Sequence, residues 1–589
     1  MFDTLKHLRR KEWTMIGIIV ILIVFQVYLD LKLPEYTRVI TALLATPGST
    51  VGEVWHNGQY MLLCALGSLA SAIAVGFLAA KVGSSLSQRL RSKLYDKVNS
   101  FSMGEINNFS TASLITRSTN DVTQVQMFII FALQIIIKAP ILAVWATLKM
   151  SGTGIEWTLA TGVAVVVLLV VFALLILLVI PKFRKMQILT DNLNRVAREN
   201  LTGLPVVRAY NAEEYQGIKF EKANKELTDT QLFTSRAMAA LLPAIMLIMN
   251  CLMLSIFWIG AILINNVPPS LPGERVFLFS SMSEFISYAM QIVMAFMMVS
   301  MLFIMMPRAQ VSSKRINEVL DTAPTVRDGT LENADPACKG EVEFRNVSFK
   351  YPGAADHVLH DISFSAKRGE TIAFIGSTGS GKSTLINLVP RFYDASEGTV
   401  LVDGVDVREY KLEALHDKIG YVPQRAVIFS GTVSSNVAFG ESRTSEMAED
   451  DVKNALRIAQ GTDFVEKMEG MYDANIARGG SNISGGQKQR LAIARAVCKR
   501  PEIYIFDDSF SALDYRTDRA LRTALKREAK GVTSMIVAQR IGTIMDADRI
   551  VVLDEGKVVG IGTHRELLGT CKVYREIAMS QLSEKELDL

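Results

Sequence analysis

A chain of 589 residues exceeds one domain, and length alone points to about two to four. Apolar residues make up 49 % and mean hydropathy is +0.25, high for a soluble protein, while a net charge of +4 gives no basis for a nucleic-acid partner. The five cysteines (Cys64, Cys251, Cys338, Cys498, Cys571) are scattered without a CxxC pair, which argues against a zinc site or a disulfide framework.

The N-terminus, MFDTLKHLRRKEWTMIGIIVILIVFQVYLDLKL, joins a basic start to an apolar run. That run is too long for a signal h-region and no small-x-small cleavage site follows, so it reads as a retained span. Six runs reach the roughly 20 residues that a hydrocarbon core of about 30 Å requires. They lie near 13–33, 60–80, 127–150, 157–180, 239–264 and 278–306. Basic residues set the orientation. Lys6, Arg9, Arg10 and Lys11 precede the first span, Lys81, Arg89, Arg91 and Lys93 follow the second, and Lys182, Arg184 and Lys185 follow the fourth. The opposite connections carry few charges, so both termini are expected in the cytoplasm.

The two connections on that side are long, and they keep apolar residues at three- and four-residue intervals, so the helices continue past the membrane. Each reaches a break, FSMGEINNFSTASL and NLTGLPVVRAYNAEE, which would present a short segment far from the bilayer. Within the spans, Gln134 and Lys138 lie one turn apart, and Glu284 and Gln291 lie on the sixth. Such residues either line a water-filled substrate path or pair between helices. Met290, Met294 and Met298 on the same span suit an adaptable apolar pocket or ordinary helix packing.

After a polar linker, strands begin at EVEFRNVSFKY. GETIAFIGSTGSGKSTLINLV then reads as strand, glycine-rich loop, helix, with Gly376, Ser377, Thr378, Gly379, Ser380, Gly381, Lys382 and Ser383 fitting GxxxxGK[ST]. The bare glycines let backbone N–H groups turn onto phosphate oxygens at a helix N-terminus. Lys382 would reach the β/γ-phosphates and Ser383 would hold Mg²⁺. In NISGGQKQRLAIARA, Ser484, Gly485 and Gly486 precede a helix and form a second anion cradle, and IYIF delivers Asp507 at the end of an apolar strand.

With those motifs in place the chain resembles a half-transporter of the ATP-binding cassette exporters over essentially its whole length. The resemblance implies an all-α membrane domain of six transmembrane helices (residues 1–320), a linker (321–339) and an α/β P-loop nucleotide-binding domain (340–589). It implies ATP and Mg²⁺ as cofactors and short coupling helices near 103–113 and 203–213. Tyr351 would stack on adenine, Gly376 to Thr384 would form the Walker A loop, and Gln424 would be the Q-loop glutamine beside magnesium. Ile483 to Gln487, ISGGQ, matches the signature with isoleucine for leucine, Asp507 matches the Walker B aspartate, and Asp514 closes the D-loop SALD.

Two positions depart from the family pattern. Asp508 stands where a glutamate polarises water, and Gln539 stands where a histidine contacts the γ-phosphate. Aspartate is one C–C bond shorter, about 1.5 Å, and a misplacement of about 1 Å costs roughly 10²-fold in rate. Glutamine lacks imidazole proton chemistry, though its amide still donates a hydrogen bond.

The pair sharpens the resemblance to bacterial heterodimeric multidrug exporters. This chain's Walker face would form a degenerate, slowly hydrolysing site, and Ser484, Gly485, Gly486 and Gln487 would complete the hydrolytic site of a second, non-identical half-transporter carrying the glutamate and histidine. The expected setting is the bacterial cytoplasmic membrane, with lipid and a small amphipathic substrate as further partners. The alternatives are a homodimeric lipid or peptide exporter and a nucleotide-gated channel or regulator.

Overall fold

The computed structural model describes residues 6, 8–151, 154–332, 338–440, 449–528 and 531–583; the remainder, which includes 333–337 of the expected linker, lies outside the described residues. The chain divides into two compact units: Met1–Lys97 with Ala112–Thr322, and Val98–Thr111 with Ala323–Leu589.

The first unit is helical. Its long helices are α1 (Arg10–Ala45), α2 (Val51–Asn99), α4 (Val122–Ser151, continuous with Thr111–Asp121 before it), α5 (Ile155–Thr202), α7 (Glu213–Asn266) and α8 (Pro272–Asp321). All six contain a stretch long and apolar enough to cross a membrane. Pro34, Pro140, Pro181, Pro243 and Pro307 sit inside five of them, as membrane helices tolerate where neighbouring groups satisfy the freed carbonyls. Leu62, Phe77, Leu177 and Leu254 remain exposed, the outward coat of a bundle whose solvent is lipid.

Inside, Ile19, Ile23 and Val27 of α1 pack with Ala139 and Leu142 of α4 and with Phe285 and Tyr288 of α8. Gly83 of α2 lets α4 approach closely, since a Cβ there would sit 2.5 Å from Ile130 Cγ1. Trp157 of α5, fully buried, donates from Nε1 to the Ile256 carbonyl of α7 at 3.1 Å. The second expected break forms the short helix α6 (Leu204–Ala209), opened by Pro205, with Val206 within it and Tyr210 at its end exposed.

The first break forms α3 (Met103–Phe109), which packs as part of the second unit rather than with the long helices. Ser102 caps it: its Oγ accepts from the Gly104 N–H at 3.2 Å, and Glu105 returns a carboxylate to the Ser102 N–H at 2.8 Å. Pro352 and Tyr393 lie beside Gly104, where a Cβ would meet their rings at 3.5 and 4.0 Å, ordinary contact distances.

The rest of that unit carries two main sheets. One is antiparallel in the order β2 (Leu359–Ala366), β1 (Val342–Phe349), β4 (Glu397–Val402), β5 (Val405–Asp406). The other runs β10 (Lys557–Gly562), β9 (Arg549–Asp554), β3 (Thr371–Gly376), β8 (Thr533–Val537), β7 (Ile503–Asp507), β6 (Ile419–Val422). From β9 to β6 every pairing is parallel. That explains TIAFI, IYIF and SMIV as unbroken apolar runs, since a parallel sheet is covered on both faces. It also gathers the carboxyl ends of β3, β8, β7 and β6 at one crevice, where open α/β sheets bind ligands.

Candidate functional site: a phosphate-binding crevice at the strand ends

β3 ends at Gly376 and the chain turns through the glycine-rich loop into helix α9 (Lys382–Ile386). A Cβ on Gly376 would lie 2.0 Å from the Leu553 carbonyl oxygen, and one on Gly381 would lie 2.7 Å from Leu359 Cδ2. Gly381 also holds φ +92°, a region that only glycine visits cheaply. Lys382 turns back into the loop, where Nζ donates to the carbonyls of Gly376 (2.9 Å) and Ser377 (2.6 Å) and to Ser380 Oγ (3.2 Å). Burial lowers its pKa, while Asp508 and Asp507 favour the charged form. The loop thus folds its own carbonyls and a serine hydroxyl around one desolvated cation.

Ser383 Oγ donates to Asp507 Oδ1 at 2.8 Å. A hydroxyl and a carboxylate thus meet at the loop's edge, and Mg²⁺ in phosphate sites needs little more from the protein than that. Among the described residues no group of three or more His, Cys, Asp or Glu comes together to hold a metal ion. Burial pushes the Asp507 pKa up, as does neighbouring Asp508, against the lowering by Ser383 and Lys382. Bare loop, buried lysine and paired hydroxyl and carboxylate fit a magnesium nucleotide. Thr384, next in α9, shares a hydrogen bond of 2.9 Å with the Tyr351 hydroxyl, and the Tyr351 ring stands edge-on to Tyr393 with centroids 5.2 Å apart.

Asp508 follows β7 directly. Its N–H donates to the Val537 carbonyl at the end of β8, and it holds φ 46°. Asp508 Oδ2 accepts from Gln539 Nε2 at 2.9 Å and from Gln424 Nε2 at 3.3 Å. β8 and β6 flank β7, so three successive strand ends deliver Gln539, Asp508 and Gln424 to one point. Burial raises the Asp508 pKa against the lowering by Gln424 and Ser511.

Ser484 caps helix α11 (Gly485–Cys498): its Oγ accepts from the Gln487 N–H at 3.3 Å, and Gln487 Oε1 accepts from the Ser484 N–H at 2.8 Å. Ser484 and Gly485 are exposed, and a Cβ on Gly486 would lie 3.4 Å from the Ala512 carbonyl in SALD. Asp514 Oδ1 accepts from the Thr517 N–H at 3.0 Å and opens helix α12 (Tyr515–Glu528). No hydrogen bond or ion pair between described side chains ties Ser484–Gln487 to the Walker loop of the same chain. Ser484 and Gly485 open to solvent, with Gly486 and Gln487 half-buried behind them.

Lys138, Gln291 and Glu284 are paired between helices. Lys138 Nζ lies 3.1 Å from Asp30 of α1, and Gln291 Nε2 donates to the Asp30 carbonyl at 3.2 Å. Glu284 is buried on α8, with Arg38 Nε 3.2 Å away and the Tyr288 hydroxyl 3.2 Å away. Gln134 is half-buried, and Met290, Met294 and Met298 are exposed. Asp30, Arg38 and Tyr288 complete this network; Asp30 and Tyr288 went unnoticed in the sequence, as did Tyr393 beside Tyr351, and Arg38 was read there only as a loop charge. Acids and bases more than a hundred residues apart in the sequence announce no partner until the helices are rotated against each other.

Helices of membrane-crossing length joined to a nucleotide crevice define a membrane protein powered at a P-loop site. Family models agree: one described as ABC transporter transmembrane region matches residues 16–290, and one described as ABC transporter matches 359–511. An uncharacterized ABC transporter ATP-binding protein of Mycobacterium bovis is 38 % identical over 559 residues, 93 % of each chain. An ATP-dependent lipid A-core flippase of Pseudomonas putida is 33 % identical over 528 residues, 89 % of this chain and 85 % of that one. A solved bacterial Atm1-family ABC exporter with ATP bound shares the fold at TM-score 0.78 and 24 % identity, over 96 % of this chain and 98 % of the other. The chain belongs to the ABC exporters, as a half-transporter with one membrane region and one ATP-binding domain. It is a multi-pass membrane protein whose activity is ATPase coupled to transport.

Proposed function

We propose that this chain is one half of a heterodimeric exporter, that its own Walker face binds Mg²⁺–ATP and turns it over slowly, and that its signature completes the fast site of a non-identical partner. The carrying observation is the engagement of Asp508 by Gln539 and Gln424. Burial makes this carboxylate a stronger base, which by itself favours proton transfer. Reach and orientation decide against it: the side chain is about 1.5 Å short of a glutamate, and its Oδ2 already holds two amide donors. Gln539, its amide given to Asp508, brings no imidazole.

The binding groups are kept. Gly376 to Thr384 shape the phosphate cradle, Lys382 supplies the cation, and Ser383, Asp507 and Gln424 stand where magnesium would be held. Tyr351 offers its ring to the base. The exposed Ser484 and Gly485, with Gly486, Gln487 and Asp514, would meet a nucleotide on another chain. When bound, Mg²⁺ neutralises charge on the transferring phosphate. Domains at 1–320 and 340–589, cytoplasmic termini and a bacterial inner membrane agree with the basic flanks of the spans and with the bacterial relatives. The exposed Met290, Met294 and Met298 suit amphipathic substrates, while the pairing of Lys138, Glu284 and Gln291 favours a structural role for those three, with Gln134 half-buried nearby in sequence.

A second reading, a homodimeric lipid exporter, is favoured by the flippase relatives and by an apolar crevice of about 410 Å³ lined by Ala143, Thr147, Thr158, Ile292 and Phe296. Transport from proteoliposomes distinguishes the two. If the chain alone extrudes labelled lipid with brisk ATPase, the heterodimer is wrong; if it binds ATP but transports a dye only with a second half-transporter, the heterodimer stands.

A further inference from the structure

Helix α13 (Lys572–Gln581) lies on the sheet by Tyr574 and Ala578, both fully buried. Its last residue, Gln581, is exposed, yet its amide is used twice. Nε2 donates to the Gln539 carbonyl at 2.8 Å, and Oε1 accepts from the Ile541 N–H at 2.8 Å. One side chain therefore closes on the main chain either side of Arg540, in the manner of a neighbouring strand. Arg540 in turn donates from Nη2 to the Ser511 carbonyl at 3.4 Å, in SALD.

The consequence runs inward. The backbone of Gln539 fixes where its side chain starts, and that side chain reaches Asp508 Oδ2 at 2.9 Å, which also accepts from Gln424. Gln539 follows the end of β8 by two residues and lies outside any regular element before the short helix Ile541–Ile544. Without Gln581 the Gln539 carbonyl and the Ile541 N–H would turn to water, and the loop would lose its outer support.

We propose that Gln581 is a positioning residue for the ATP site: it clamps residues 539–541 so that Gln539 stays over Asp508. The proposal rests on the reading that this chain's own Walker face binds ATP. The clamp holds the phosphate end of the crevice and touches nothing near Tyr351, so it sets turnover rather than nucleotide affinity.

The test uses the full chain in lipid nanodiscs, as wild type, Gln581→Ala and Gln581→Glu. Hydrogen exchange at the Ile541 amide reports the clamp without any nucleotide. It should quicken by about 5-fold or more in Gln581→Ala, the equivalent of one ordinary hydrogen bond, and stay nearer wild type in Gln581→Glu, which keeps an acceptor for that N–H. ATPase kinetics report the positioning. ATP turnover should rise by a similar factor, about 5-fold, in Gln581→Ala, because loosening Gln539 frees Asp508 Oδ2 of one of its two amide donors, with KM for ATP unchanged. A fall in melting temperature with kcat unchanged would make Gln581 merely structural and overturn the proposal, as would unaltered exchange at Ile541. Failure of ATP binding in the wild type would instead sink the reading of the Walker face and leave the exchange result to judge the clamp.

Discussion

Gln539 Nε2 and Asp508 Oδ2 stand 2.9 Å apart, so the two positions read in the sequence as departures from the ABC exporter pattern are in direct contact. The amide of one satisfies the carboxylate of the other, so the two departures from the pattern are structurally one feature. Asp508→Asn should therefore lower the ATPase of the assembled transporter by less than about 10-fold, whereas losing a true general base typically costs about 10²- to 10⁴-fold. Steady-state phosphate release from the paired complex checks it, with Mg²⁺–ATP affinity expected to stay level.

Acidity should weaken magnesium before it weakens nucleotide. Asp507 must be ionised to serve as a ligand, and burial, reinforced by Asp508, raises its pKa above the ordinary aspartate value. Protonation thus sets in at a higher pH than for an exposed aspartate, and affinity for Mg²⁺–ATP should fall as pH drops towards it. Titration of Mg²⁺–ATP and of magnesium-free ATP across that range, by fluorescence of a labelled nucleotide, should show the larger fall for the magnesium complex.

Arg38→Ala should destabilise the helical unit by about 3–5 kcal/mol, because it leaves the buried Glu284 without its cation. Adding Glu284→Gln should return most of that loss, since an uncharged amide needs no counter-ion. Denaturant unfolding in detergent micelles of the two single variants and the double variant measures the coupling.

Much of this was legible because the chemistry is local. The glycine-rich loop and its lysine lie within nine consecutive residues, and apolar runs such as TIAFI and IYIF declare buried parallel strands wherever they occur. The breaks at FSMGEINNFS and LTGLPVVRAY likewise announce α3 and α6 through their capping residues and proline. What escaped depends on pairing across the fold. Lys138 meets Asp30, and Glu284 meets Arg38, only through the rotation of whole helices, and Gln581 sits at the end of an unremarkable helix with no motif around it. Asp508 and Gln539 were visible as departures, but their mutual hydrogen bond follows from the register that sets Asp507 beside Val537.

The chain's own site is proposed to keep binding and to have lost speed. The most direct measurement is the ATPase rate of the purified chain alone in nanodiscs, wild type against Asp508→Glu combined with Gln539→His. The wild type should bind Mg²⁺–ATP yet hydrolyse it slowly, and the two substitutions should raise turnover by about 10²-fold, the factor that a misplacement of about 1 Å removes. Vigorous hydrolysis by the wild-type chain alone, with no gain from the two substitutions, would contradict it.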